Sequence, residues 1–100
     1  MIKHVVLWKF KDEAENRTKE ENMNLVKERL YALCPIIPEV KKMEIGLDFG
    51  HTAMSYDMFL YTEFETKEDL QKYAVDPDHA KVKKIVAATT EARVTLDYEG

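Results

Sequence analysis

The sequence is poor in cysteine, glycine and proline. Its 100 residues include one cysteine, three glycines and three prolines. The single Cys34 excludes an internal disulfide and fits a reducing compartment. So little glycine and proline excludes a fibrous or loop-rich chain. We therefore expect a folded domain whose stability comes from an apolar core.

Long apolar runs and targeting signals are also missing. No segment approaches the roughly 18 apolar residues of a membrane span. Met1–Phe10 contains Lys3, His4 and Lys9 and has no small-residue cleavage pattern, so we interpret it as part of the fold rather than as a signal peptide. These features predict a cytoplasmic protein with no membrane partner.

An excess of basic charge is absent as well. Fifteen Lys and Arg residues stand against 19 Asp and Glu residues, for a net charge of −4, which argues against a nucleic-acid partner. The three glycines are scattered and cannot form a phosphate-binding loop. His4, His51 and His79 lack the spacing of metal ligands. We expect no metal and no cofactor.

Alternating and helical periodicities predict four strands and three helices. The predicted strands are Ile2–Phe10, Val40–Phe49, Tyr56–Phe64 and Ala92–Tyr98, and the predicted helices run from a Thr18–Glu21 capping box to Cys34-Pro35, over Lys67–Val75, and from Pro77 through Ala88. The order β-α-β-β-α-β is that of the ferredoxin-like fold, in the α+β class. It predicts a four-stranded antiparallel sheet with its helices on one face. A chain of this size buries about 65% of its surface, which supports one domain over residues 1–100.

The first and third strands carry apolar side chains on both faces, whereas the helices can cover only one face of the sheet. The uncovered side chains are Val5, Leu7, Phe59 and Tyr61. Because monomers rarely expose a large apolar patch, we expect a second copy to pack sheet against sheet by two-fold symmetry, forming a dimeric α/β barrel. The alternative is that the C-terminal strand or a loop folds over part of the patch.

Three segments resemble the stress-responsive dimeric α/β-barrel (Dabb) family. They are Ile2–Lys11, Tyr73–His79 and Val94–Tyr98. Each segment alone is a weak signal, but together with the chain length and the element order they match the family. The resemblance implies a homodimeric ferredoxin-like barrel with a small cavity between helices and sheet. It implies no single activity, because the family includes stress-associated proteins, plant polyketide cyclases and bacterial members of unknown role.

His79 and Tyr73 are the candidate catalytic residues. His79 lies in the first turn of the third predicted helix, where the helix dipole disfavours imidazolium and leaves the neutral imidazole that a general base needs. A kink at Asp76-Pro77 can bring the Tyr73 hydroxyl and this imidazole to one cavity. In family members that cyclise polyketides, a His and a Tyr of this motif act as acid/base and hydrogen-bond partners, and the resemblance implies these roles for His79 and Tyr73. The alternative is that His79 only satisfies polar groups at the helix end.

His4, Val6 and Trp8 share one face of the first strand, and we expect them to line the cavity if that face looks at the helices. His4 has the alternative role of a hydrogen-bonded core residue. The bulk of the Trp8 indole favours a small aromatic or short acyl ligand over a large polyketide. We expect His51 to be exposed in a loop and Cys34 to be a buried, unreactive thiol.

Three functions are open at this point. In the first and favoured function, the protein is a cytoplasmic homodimer with a cavity for a small aromatic or carbonyl compound. It either binds this compound or converts it as a cofactor-free cyclase or lyase. His79 would then remove a proton next to a carbonyl group while Tyr73 orients the oxygen. The second is a stress-associated structural dimer with no reaction, which a cavity filled by Trp8 would favour. The third is a haem-degrading or cofactor-independent monooxygenase of the related dimeric barrels.

Overall fold

Polar side chains in the sequence mark where the first two helices begin. The Thr18 hydroxyl accepts from the Glu21 N–H, and the Glu21 carboxylate accepts from the Thr18 N–H, so the predicted capping box is confirmed. The Thr66 hydroxyl accepts from the Asp69 N–H at 3.1 Å in the same way. These bonds satisfy N–H groups that have no partner inside the helix.

The computed structural model describes residues 1–100 and confirms the ferredoxin-like α+β fold. The elements in chain order are β1 (Ile2–Phe10), β2 (Glu13–Ala14), β3 (Arg17–Thr18), α1 (Lys19–Tyr31), β4 (Lys42–Leu47), β5 (Met58–Phe64), α2 (Lys67–Val75), α3 (Pro77–Thr89) and β6 (Thr90–Glu99). None of the helices combines the length and the apolar character that crossing a membrane requires.

One antiparallel sheet contains the four long strands in the order β4-β5-β1-β6. β1 is central, with Val6 opposite Leu60 of β5 and Thr95 of β6. Since side chains alternate between the faces of a strand, every second residue of β1 and β5 faces the helices. The buried apolar residues at these positions are Ile2, Val6, Trp8, Phe10, Met58, Leu60 and Phe64. They form the core together with residues of the helices, such as Val26 and Leu30 of α1.

Four predicted boundaries between α1 and β5 were wrong. α1 ends at Tyr31, before Cys34-Pro35, because the chain turns from Ala32 onward and Leu33 is buried in that turn. β4 covers only the middle of the predicted second strand, and β5 begins at Met58 rather than at Tyr56.

The loop between β4 and β5 is longer than predicted because a carboxylate organises it. Asp48 follows the last residue of β4, and its side chain accepts from the N–H groups of Gly50 and His51 at 3.2 and 2.7 Å. Such bonds compete with the strand ladder and turn the chain. His51 is exposed, as predicted.

A short hairpin, β2–β3, was not predicted in the charged stretch before α1. Its turn places Glu15 and Asn16 at positive φ, 54° and 60°, as two-residue hairpins require. Asn22 of α1, fully buried, donates to the Ala14 carbonyl and accepts from Arg17 Nε, which joins the hairpin to the helix.

The face of the sheet away from the helices is apolar across three strands. Val5 and Leu7 of β1 and Phe59 and Tyr61 of β5 are half-buried there. β6 extends the same face with Val94, Leu96 and Tyr98, all exposed. The C-terminal strand therefore enlarges the patch instead of covering it, contrary to the alternative considered from the sequence.

Candidate functional site

A cavity of about 330 Å³ lies between the sheet and the helices α2 and α3. Its floor is β1, which contributes His4, Val6 and Trp8. Tyr73 of α2 and His79 of α3 line it from the helix side. The cavity is at the small end of the roughly 300–1,000 Å³ range of small-molecule sites, so it suits a small ligand.

The α2–α3 junction holds the imidazole of His79 against Tyr73. Asp76 ends α2 and caps α3, and its side chain accepts from the N–H groups of Asp78 and His79 at 2.8 and 3.1 Å. Pro77 is the first residue of α3, a position that needs no N–H donor. The Tyr73 and His79 rings are stacked with centroids 3.9 Å apart.

A hydrogen bond sets the tautomer of His79. Its Nδ1 lies 2.8 Å from the carbonyl oxygen of Tyr73. A carbonyl can only accept, so Nδ1 carries the proton, and in the neutral ring Nε2 keeps its lone pair. The imidazole is thus oriented through Nδ1 and leaves Nε2 free as a base.

Burial lowers the pKa of His79 below its ordinary value of 6.5. The bond to the Tyr73 carbonyl acts in the opposite direction, and the nearby Lys83 charge lowers the pKa further. The direction agrees with the expectation from the sequence. Its main cause is desolvation rather than the helix dipole that the sequence suggested. Near neutral pH the imidazole is therefore uncharged.

Tyr73 is 1% exposed, and its hydroxyl has no hydrogen-bond partner within the chain. Burial raises the pKa of this phenol well above its usual value of 10, while the Arg93 charge acts against the rise. The hydroxyl is therefore neutral and available as a donor. It does not bond to the imidazole, which is stacked against the phenol ring.

We expect Tyr73→Phe to raise the free energy of unfolding by on the order of 1 kcal/mol, because it removes a buried polar atom that lacks a partner. Tyr31→Phe is the matched contrast, because the Tyr31 hydroxyl accepts from the Ile45 N–H at 3.0 Å. In that variant the free energy of unfolding should fall by about 1 kcal/mol. Urea unfolding measures the change in each variant. A clear loss of stability in Tyr73→Phe would show that the hydroxyl is already satisfied.

His4 and Trp8 differ in how their polar atoms are satisfied. The Nδ1 of His4 pairs with the carboxylate of Asp97 on β6, directly opposite in the sheet. Trp8 is 4% exposed, yet its indole Nε1–H has no acceptor within the chain. The indole lines the cavity without filling it.

Two cations at the rim of the cavity were missed from the sequence. Lys83 of α3 and Arg93 of β6 line it from its exposed side, which we call the mouth. Lys83 Nζ donates to the carbonyl of Ala74. Arg93 lies opposite Trp8 in the β1–β6 register and so points to the helix side of the sheet. Only that long-range pairing could have located it.

The other polar candidates lie outside the cavity. Cys34 is half-buried with its Sγ 3.7 Å from the Met43 Sδ, and burial raises the pKa of the thiol. A raised pKa disfavours the reactive thiolate. No three His, Cys, Asp or Glu side chains are grouped so that they could hold a metal ion.

The match to known proteins extends over nearly the whole chain. Residues 2–100 match the model of the stress-responsive A/B barrel domain, Dabb. The chain belongs to this family. The resemblance seen in the sequence is therefore confirmed.

Two curated relatives and one solved structure are similar to this chain. A stress-response A/B barrel domain-containing protein of Arabidopsis thaliana is 32% identical over 84% of this chain, which spans only 30% of that relative. The olivetolic acid cyclase of Cannabis sativa is 29% identical, covering 97% of this chain and 94% of the cyclase. A crystal structure from Bacteroides fragilis, a dimeric protein of unknown function with a ferredoxin-like fold, is 36% identical with a TM-score of 0.88, covering 99% of this chain and 95% of that one.

Proposed function

We propose that this Dabb protein is a homodimer whose cavity removes a proton next to the carbonyl group of a small aromatic or acyl compound, without a cofactor. One observation carries the proposal. A neutral imidazole with a free Nε2 and a buried phenol without a partner line the same cavity of about 330 Å³. Together they supply the base and the hydrogen-bond donor that this chemistry needs.

The proposed step uses one base and one donor. His79 Nε2 takes the proton from the carbon next to the carbonyl and becomes imidazolium. The electron pair of the broken C–H bond moves into an enolate, whose oxygen accepts a hydrogen bond from the Tyr73 hydroxyl. After the imidazolium exchanges its proton with solvent, return of a solvent proton to the carbon completes an exchange cycle. In a cyclisation the enolate carbon would instead bond to a second carbonyl carbon of the same molecule, and the oxygen of that carbonyl would take the proton from the imidazolium.

The relatives support a carbonyl compound as the substrate class. Olivetolic acid cyclase matches this chain over nearly the full length of both proteins, so its chemistry extends to this cavity by analogy. Trp8 lines the cavity and limits its size, which favours a compound with one ring or a short acyl chain. A stress-associated module without a reaction and a monooxygenase are the competing outcomes of the test.

Deuterium exchange tests the proposed step without knowledge of the natural substrate. The protein is incubated in D₂O with phenylacetone, a small aromatic ketone, and deuterium at the carbon next to the carbonyl is followed by NMR. We expect exchange well above the buffer rate and retention of the C–C bonds. Exchange at the buffer rate, for this ketone and for smaller and larger analogues, would favour the non-catalytic module. A Soret shift on addition of haem would favour the third function.

The rate of this exchange should depend on pH through His79. The base must be neutral, and burial lowers its pKa, so kcat/KM is expected to fall only at acid pH, with a midpoint below 6.5. Tyr73 must stay protonated, and its raised pKa predicts no alkaline loss until above pH 10. The predicted profile is a plateau from neutrality to beyond pH 10. A midpoint above 6.5 would contradict a buried neutral base.

The homodimer is supported by the uncovered face of the sheet. Val94, Leu96 and Tyr98 are exposed there beside the half-buried apolar residues of β1 and β5. Charged residues surround this apolar centre, with Lys3 and Lys42 placed over the Tyr98 and Tyr61 rings. An apolar centre with a polar rim is typical of protein interfaces. The related Bacteroides fragilis protein, similar over nearly its whole length, is dimeric.

The ring of Tyr61 belongs to the apolar centre, and its hydroxyl reaches the polar rim. Its hydroxyl donates to the Glu63 carboxylate at 2.5 Å, and this bond raises the pKa of Tyr61 to about 12. The ring is therefore neutral at the pH of any assembly measurement, and it adds apolar area to the proposed interface.

A further inference from the structure

The mouth of the cavity carries an unpaired guanidinium. Arg93 forms none of the ion pairs in the chain, and its side chain has no hydrogen-bond partner. It lines both the cavity and an adjoining outer hollow of about 180 Å³. A planar group with five donors, placed where the two spaces meet, can reach a ligand in either of them.

Positive charge is in excess at this mouth. Lys83 lines the cavity and the outer hollow beside Arg93. One carboxylate, Asp97, borders the outer hollow and bonds to His4, so the two cations outnumber it. The field at the mouth therefore favours an anion over a neutral or cationic ligand.

The interior of the cavity adds donors without acceptors. The Trp8 indole N–H can only donate, and it is buried with no acceptor in the chain. The Tyr73 hydroxyl, which can donate and accept, is also buried without a partner. Buried polar groups are normally hydrogen-bonded, so each of these two cavity-lining residues keeps a hydrogen-bonding group that no atom of the chain satisfies.

We propose that the ligand is an acid: a small carbonyl compound that also bears a carboxylate, held at the mouth by Arg93 while its carbonyl end lies near Tyr73 and His79. The inference rests on the proposed function for the carbonyl end, and on the cations at the mouth for the acid. Arg93 is assigned as the residue that determines specificity for the acid. Its fork of N–H groups matches a carboxylate in a bidentate geometry that a lysine cannot reproduce.

Binding of benzoate and its neutral isostere benzamide tests the assignment without any measurement of turnover. The chain has one tryptophan, so the Trp8 indole N–H gives a single, assigned cross-peak in a ¹⁵N-labelled protein. We expect benzoate to shift this peak and to bind on the order of tenfold more tightly than benzamide, because a hydrogen bond to a charged group is stronger than a neutral one.

Arg93→Gln should weaken benzoate binding far more than benzamide binding and so remove that tenfold preference, and Arg93→Lys should restore only part of it. Arg29→Gln is the matched control, since it makes the same change at an exposed position of α1 that is not part of the cavity. It should leave benzoate binding unaltered. Equal affinity for the two ligands, no shift up to the solubility of benzoate, or equal losses in the two glutamine variants would each overturn the assignment.

Failure here and failure of the proposed function can be told apart. If benzoate binding depends on Arg93 but the ketone exchanges no faster than in buffer alone, the acid-binding site is supported and the proposed reaction is contradicted. If the exchange depends on His79 but Arg93 substitutions do not change benzoate binding, the proposed reaction is supported and the acid-binding site is contradicted.

Discussion

Replacing His79 with alanine is expected to lower the rate of deuterium exchange by about 10²- to 10⁴-fold, the usual contribution of a positioned base. Nε2 is the acceptor for the proton, and neither neighbour can replace it, because the Trp8 indole N–H only donates and a neutral phenol such as Tyr73 is a very weak base. The variant should still fold. It loses one hydrogen bond to a backbone carbonyl, which contributes about 1 kcal/mol.

His51→Ala is the control for this variant. His51 is exposed in the β4–β5 loop and lines no part of the cavity, so exchange should be unchanged. Circular dichroism and thermal unfolding of both variants check that the fold is retained. A folded His79→Ala protein that exchanges as fast as the parent would remove His79 from the role of base.

Leu96→Asp is expected to convert the proposed dimer to a monomer. The symmetry of the dimer repeats the change in both copies, and each aspartate would be buried without a partner at a cost of several kcal/mol. The dissociation constant should therefore rise by on the order of 10³-fold or more. The isolated chain should tolerate the substitution, because Leu96 is 61% exposed in it.

Val75→Asp makes the matching change on the opposite side of the molecule. Val75 is 68% exposed at the end of α2, away from the sheet face, and its replacement should leave the mass in solution unchanged. Sedimentation equilibrium distinguishes the species. A parent protein with the mass of one chain, or a Leu96→Asp protein with the mass of two, would contradict the proposed interface.

The fold was predictable because its signals are local. Thr18 with Glu21, and Asp76 with Pro77, mark helix starts within a few residues of sequence. Alternation in β1 placed His4, Val6 and Trp8 on one face, which is the face that lines the cavity. The hairpin was missed because its turn uses Glu15 and Asn16 at positive φ where glycine would have been the clear signal.

The charged residues at the mouth of the cavity were not predictable, because their positions depend on how β6 pairs with the distant strand β1. In β6 the polar residues that alternate with Val94 and Leu96 have the sequence pattern of solvent-exposed positions. Pairing with β1 places Arg93 opposite Trp8 and Asp97 opposite His4, which brings both charges to the cavity side. The cause of the low pKa of His79 is likewise burial, which only the packed structure shows.

The ¹⁵N spectrum of the imidazole of His79, followed as a function of pH, shows whether the cavity contains a neutral base with a free Nε2. The hydrogen bond from Nδ1 to the Tyr73 carbonyl predicts a neutral ring with the proton on Nδ1 and the lone pair on Nε2. Burial predicts protonation only at a pH below 6.5. A ring with its proton on Nε2, or one that titrates above 6.5, would contradict the proposed role of His79, because Nε2 would then carry no lone pair or the ring would not have the lowered pKa of a buried imidazole.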